Sequence, residues 1–302
     1  MTPLLRTKGL TLVYGDGTPA VSDLTVELAR GSVGLVGANG AGKTTLLRMA
    51  LGQLEPTAGT IEVVGVSVAA DPVGVRSRVG FMPEHDCLPP DQTAADIVAT
   101  LGEVAGLPAR AARQRASEVL DLVGLDEARF RPVGTFSTGM RQRTKLAQAL
   151  VADPELVLLD EPTAGLDPLG REEMLALVAR LATFGISCIV ATHLLDDVQR
   201  VCDQVLMIDR GGLLHAGPTE ALLLRTGTVR VEVDEGADRL VGALAARGVE
   251  ATVVDGLFVD VVTDGEEVLD VVRDLVDELG LGLHSLTARR SSLDELFDGP
   301  AA

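Results

Sequence analysis

Residues 32–45 read SVGLVGANGAGKTT. A short apolar run, SVGLV, enters a glycine-rich loop, and TTLLRMALG leaves it at helical spacing before stopping at Gly52. The order is strand, loop, helix. Gly37, Gly42, Lys43 and Thr44 match G-x-x-x-x-G-K-[ST]. Glycines let the backbone wrap its N–H groups around phosphate oxygens. The helix N-terminus adds partial positive charge. Lys43 is placed to reach the β- and γ-phosphates, and the Thr44 hydroxyl to ligate Mg²⁺.

Working outward, LVLLDE (156–161) is a second buried strand, bounded by Pro154 and Pro162. A strand ending in Asp160 delivers a carboxylate towards Mg²⁺ through water. Glu161, one residue on, is placed to polarise an attacking water. REEMLALVARLATFG (171–185) reads as amphipathic helix and ISCIVAT (186–192) as buried strand. Residues 92–124 read as helices broken at Gly106–Pro108, with another helix over 138–152. Strands alternating with helices predict an α/β fold with a largely parallel sheet. Together these residues predict a P-loop ATPase.

The chain has 302 residues, 46% hydrophobic and 23% charged, an ordinary globular composition. It has no Trp, one Tyr and six Phe, so the core must be aliphatic. Net charge is −18, with 23 Arg and three Lys, Lys8, Lys43 and Lys145. That balance argues against nucleic-acid binding through a broad basic surface. Cys87, Cys188 and Cys202 show no metal spacing, and their odd number fits a reducing compartment. MTPLLRTKGL lacks a signal-peptide core, and no apolar run approaches a membrane span.

Composition shifts near residue 225. Residues 225–302 carry 17 acidic and 7 basic residues and no Lys. TVRVEV reads as strand and DRLVGALAARG as helix. EATVV and LFVDVV are strands joined at Asp255-Gly256, a strong hairpin signal. EEVLDVVRDLVDELG reads as helix, LHSLTAR as strand and SSLDELF as a closing helix. The β-α-β-β-α-β order predicts a ferredoxin-like module, without an active-site cluster. The expected domains are 1–224, with a helical subdomain at about 85–152, and 225–302.

Between the two phosphate-site motifs lies FSTGMRQR (136–143). AGLDP (164–168) and IVATHLLDDV (189–198) follow the second. This ordered series resembles the ATP-binding-cassette family over about residues 4–222. The resemblance implies that Tyr14 stacks on adenine. It implies that Gly37, Asn39, Gly40, Gly42, Lys43, Thr44 and Thr45 line the triphosphate. Asp160 would help hold Mg²⁺, Glu161 would be the general base, and His193 would contact the γ-phosphate and the attacking water. Ser137 and Gly139 would meet the ATP of a second nucleotide-binding subunit, with Asp167 at the same interface. One copy of each motif implies a partner, a second copy of this chain or a sister chain.

Two departures narrow the resemblance. In GFMPEHDCLPPD (80–91), Glu84 stands where the family usually has Gln. Glutamate is also an oxygen ligand for a hard cation, so Glu84 joins Thr44 and Asp160 as a candidate Mg²⁺ ligand. Thr138-Gly139-Met140-Arg141 replaces the commoner Gly-Gly-Gln series. Both variants resemble the export-type branch, whose ATPase chain works with a separate membrane permease and often carries a small C-terminal extension. Dimer contact, regulation and packing are all open for that extension. The resemblance places the chain in the cytoplasm, peripheral on the inner face of the cell membrane. A soluble ABC ATPase without a transporter, an importer ATPase and a P-loop kinase are the competing readings. The single cassette, the charge, the signature variant and Glu161 count against them.

Overall fold

The computed structural model describes residues 2–15, 17–220, 228–262 and 266–288. The chain divides into two compact units, Met1–Thr219 and Glu220–Ala302.

In the first unit, β3 (Ser32–Val36), β6 (Val79–Met82), β7 (Leu156–Asp160), β8 (Ser187–Thr192), β9 (Gln204–Asp209) and β10 (Gly212–Pro218) form one sheet in the order β10-β9-β3-β8-β7-β6. All pairs are parallel except the β9–β10 hairpin at one edge. Every residue of β3, β7 and β8 is buried. Covered on both faces, these strands carry unbroken apolar runs rather than alternation. Val36 pairs with Thr192 and Asp160 with Ala191, so β3, β7 and β8 end level. The loops that follow therefore open onto one edge of the sheet, where open α/β sheets bind ligands.

A second sheet, antiparallel, has the order β2-β1-β4-β5, from β1 (Leu5–Val13), β2 (Pro19–Leu28), β4 (Ala58–Val63) and β5 (Val66–Ser67). Between the sheets a continuous core runs from Leu10 and Leu24 through Leu46 and Met49 to Leu158 and Ile189. The largest fully buried side chains are leucines with Met49 and Met82, as an aromatic-poor chain requires.

The helical segment holds α3 (Ala94–Val104), α4 (Ala109–Leu122) and α5 (Thr138–Leu150), after α1 (Lys43–Ala50) and a short α2 (Pro72–Arg76). Thr93 caps α3 by accepting from the Asp96 N–H at 3.1 Å. Gly106, at φ 99°, turns the chain between α3 and α4. The helices α6 (Pro168–Leu181) and α7 (Leu195–Val201) precede β8 and β9. Each predicted helix of this unit is present; the one expected over 171–185 begins three residues earlier, at Pro168, and ends at Leu181, and the others differ by a residue or two at their ends. The α6 pattern gives way at Ala182–Phe184 to a 3₁₀ turn, closed by Gly185 at φ 73°.

The second unit is β11 (Thr228–Val233), α8 (Ala237–Ala246), β12 (Ala251–Val254), β13 (Phe258–Val262), α9 (Glu266–Glu278) and β14 (Leu283–Ala288). Its sheet order, β12-β13-β11-β14, is antiparallel throughout, the ferredoxin-like arrangement. Asp255 and Gly256 both have positive φ, 51° and 76°, within the three-residue hairpin loop between Val254 and its partner Phe258. Val231, Val233, Leu240, Leu244, Val259, Val261 and Val272 form its core. The expected closing helix, SSLDELF, lies outside the described residues.

Candidate active site

Two glycines shape the phosphate loop. A Cβ at Gly37 would stand 2.5 Å from the Ile208 carbonyl oxygen. A Cβ at Gly42 would overlap the Ala20 carbonyl oxygen, and Gly42 has φ 106°. The loop is thus pressed onto β2 and β9, which leaves its N–H groups at the start of α1. Lys43 is 6% exposed, and its Nζ donates to Gly37 O at 2.7 Å and Ala38 O at 3.3 Å. The ammonium is folded back over its own loop, and Glu161 Oε1 lies 3.6 Å from it.

The ends of the parallel strands supply the remaining groups. Thr44 Oγ1 donates to Asp160 Oδ2 at 3.0 Å, closing a contact across 116 residues of chain. Burial pushes the Asp160 carboxyl above the usual aspartate range. The Thr44 hydrogen bond opposes this, and the charges of Glu84 and Glu161 add to it. Glu161 holds a left-handed backbone, φ 50°, uncommon for a residue with a side chain. Strain of this kind gathers at functional sites. Here it follows the last β7 residue and turns the Glu161 carboxylate towards Lys43 on one side and His193 on the other. His193 Nδ1 lies 3.0 Å from Glu161 Oε2. The Tyr14 side chain is 41% exposed at the mouth, and its hydroxyl lies 3.1 Å from Thr45 Oγ1.

One cleft of about 460 Å³ gathers Tyr14, Asn39, Gly40, Gly42, Lys43, Thr44, Thr45, Glu84, Asp160, Glu161 and His193. Gly37 contributes its carbonyl to the Lys43 grip beneath it. Ser137, Gly139 and Asp167 line a separate cleft of about 470 Å³. In it Ser137 Oγ caps α5 through the Met140 N–H, and Asp167 Oδ1 caps α6 through the Gly170 N–H at 2.8 Å.

The donor set fits MgATP. Thr44, Asp160 and Glu84 offer hard oxygens to one cavity, and Gly37 and Gly42 let the loop lie against β9 and β2, where a Cβ would collide with strand carbonyls. Among the described residues no three acidic, His or Cys side chains form a metal cage. Mg²⁺ takes few protein ligands and shares its shell with phosphates and water.

Several buried polar groups were not singled out from sequence. Asp197, 1% exposed, accepts from Thr163 Oγ1 and from Arg171 Nε, both at 2.6 Å. This ties the segment after Glu161 to α6 and to the start of α7, four residues past His193. Lys145, 4% exposed, donates from Nζ to Pro83 O and Glu84 O, both at 2.8 Å. Burial pushes its ammonium below the usual lysine range, against the pull of Cys87, Asp86 and Glu84. A lone Lys among the apolar positions of α5 was the available signal.

A phosphate loop, a Thr–Asp pair across the sheet edge and an adjoining glutamate define a P-loop nucleoside triphosphatase. Residues 21–164 match the family model described as ABC transporter. The chain is 36% identical over 289 residues to the daunorubicin resistance ATP-binding protein DrrA3 of Streptomyces coeruleorubidus, covering 94% of this chain and 91% of that one. It is 38% identical to the Nod factor export ATP-binding protein I of Ralstonia nicotianae, covering 83% and 79%. Against the linearmycin resistance ATP-binding protein LnrL of Bacillus subtilis the identity is 34%, covering 74% and 72%. Among solved structures, cbiO1 of Clostridium perfringens, part of the ABC transporter complex cbiONQ, superposes with TM-score 0.68 at 27% identity, covering 75% of this chain and 94% of that one. A dimeric ATP-binding cassette bound to ADP and Pi shares the fold at TM-score 0.64 and 23% identity, covering 71% and 98%. The chain belongs to the ABC transporter family and is an ATP-hydrolysing subunit of that family.

Proposed function

We propose that this chain is the ATPase of an export system, working as a head-to-tail pair against a separate membrane permease. The observation that carries the pairing is the separation of two clefts on one chain. The P-loop, Asp160 and Glu161 line one, and Ser137, Gly139 and Asp167 line the other. A nucleotide held by the first has no signature residue beside it until a second subunit brings one. The homodimer is the simplest such pair.

In the closed pair Tyr14 stacks on adenine and the loop from Gly37 to Thr45 holds the triphosphate. Thr44, Asp160 and Glu84 would hold Mg²⁺, which neutralises charge on the phosphates. Glu161 accepts a proton from the attacking water. His193, at 3.0 Å, orients that carboxylate and would contact the γ-phosphate. Lys43 moves its ammonium from the Gly37 carbonyl towards phosphate oxygens and away from Glu161. Most of the catalytic effect is then positioning and preformed charge.

The export direction rests on the relatives, whose names specify drug resistance or Nod factor export. Among the described residues no helix is long and apolar enough to cross a membrane. A permease partner would hold the chain at the inner face of the membrane, with the groove of the helical segment as its docking surface. The two-domain reading, a cassette to about residue 224 and an extension from 225, belongs to the same proposal. The test is mild detergent extraction of the tagged chain from its host. A co-purifying polytopic protein that raises ATP turnover supports the reading. Ribosomes or nucleic acid in its place would overturn the transport role.

A further inference from the structure

The Lys145 ammonium faces three successive carbonyls, Pro83 O and Glu84 O at 2.8 Å and His85 O at 3.5 Å. Among the described residues it forms no ion pair. Its neighbours on α5, Thr144 and Leu146, are fully or almost fully buried. An apolar side chain there would avoid the desolvation of a charge. Packing alone therefore does not account for a lysine. Carbonyl dipoles converging on one point repel each other unless a cation stands between them. The loop that bears Glu84 thus takes its shape from this ammonium.

The same helix grips the other side of the cleft. Gln142 Nε2, one turn earlier, donates to Ala164 O at 3.1 Å, in the segment that follows Glu161. The first residue before α5 is Ser137, its N-cap. One rigid helix thus begins in the signature cleft and carries two buried polar side chains, each holding a loop of the nucleotide cleft.

We propose that Lys145 is a positioning residue that locks the Glu84 loop to the signature helix. When Ser137 engages the nucleotide of a second subunit, any shift of α5 is passed to Glu84 in this subunit's own cleft. The transmission between subunits rests on the head-to-tail pair proposed above. The hold on the loop does not.

The test is Lys145→Met in the full chain, which keeps an unbranched side chain and removes all three donors. Turnover is expected to fall about 10- to 100-fold, the usual effect of a misplaced group, with KM for ATP within about twofold. Backbone hydrogen exchange at Leu88, whose N–H donates to Asp86 Oδ1 within the held loop, is expected to rise severalfold, while that of residues 37–45 stays unchanged. Lys145→Arg, which restores charge and donors, is expected to recover part of both. Unchanged turnover would overturn the proposal. So would a uniform rise in exchange that includes residues 37–45, since that marks a merely structural lysine. If Glu161→Gln with MgATP remains monomeric, the pair itself fails, and the loop exchange still decides what Lys145 does.

Discussion

Replacing Gly42 by alanine isolates what the phosphate loop owes to glycine. Two penalties act at this position. Gly42 has φ 106°, and an L-residue with left-handed backbone costs about 1–2 kcal/mol. Its new Cβ would also overlap the Ala20 carbonyl oxygen, which belongs to a strand and has little room to withdraw. Overpacking of this kind costs about 1–3 kcal/mol. Together they amount to about 2–5 kcal/mol, divided between folding and binding according to whether the loop keeps its shape. Gly40 is the internal control. Its φ is 82°, but a Cβ there would meet nothing within 4 Å, so Gly40→Ala pays only the backbone penalty. The assay pairs titration with a fluorescent ATP analogue and thermal unfolding without nucleotide. The summed loss for Gly42→Ala should exceed that for Gly40→Ala by at least about fivefold in equilibrium terms. Equal losses in the two variants, or a Gly42→Ala protein that binds and melts as the parent does, would refute the close approach of the loop to β2.

Asp160→Asn should stabilise the metal-free chain at neutral pH while reducing Mg²⁺-dependent hydrolysis at least about 100-fold. Because the folded carboxyl titrates above the unfolded one, its ionisation penalises the fold fully above the raised value and not at all below the ordinary aspartate range. The gain in melting temperature in EDTA should therefore shrink as pH is lowered through that window, and a gain independent of pH would contradict the burial argument. Tyr14→Phe removes only the part-buried hydroxyl contact with Thr45 and should leave ATP affinity within about twofold. Tyr14→Ala should weaken it about tenfold through lost stacking, and equal effects in the two variants would place adenine elsewhere.

The nucleotide cleft was legible because its groups lie within a residue or two of strand ends or in the glycine loop. Asp160, Glu161 and His193 each close or follow a fully buried apolar strand, and such a run names both the strand and the point where it stops. The hairpin at Asp255-Gly256 was legible for a similar reason, since only a few residues accept two successive positive φ angles. Three features were not. The β4–β5 and β9–β10 hairpins pair residues only a few positions apart, such as Val63 with Val66 and Asp209 with Gly212, but their short runs carry little periodic signal. The strain at Glu161 is imposed by its surroundings, including the Glu161 N–H bond to Ala191 O at 2.8 Å, rather than by its residue type. The roles of Asp197 and Lys145 depend on tertiary contacts. Nothing in HLLDDV distinguishes the buried Asp197 from Asp196, which lies on the exposed side of the same helix.

The central claim is that Glu161 activates water in a nucleotide site completed by a second subunit. Mass in solution of the Glu161→Gln chain, with and without MgATP, tests it most directly, read beside its hydrolysis rate. The expected result is a monomer without nucleotide, a stable dimer with MgATP, and turnover reduced at least about 100-fold. A Glu161→Gln chain that stays monomeric with bound MgATP would contradict the shared site, and one that hydrolyses ATP at the parent rate would remove Glu161 from the chemistry.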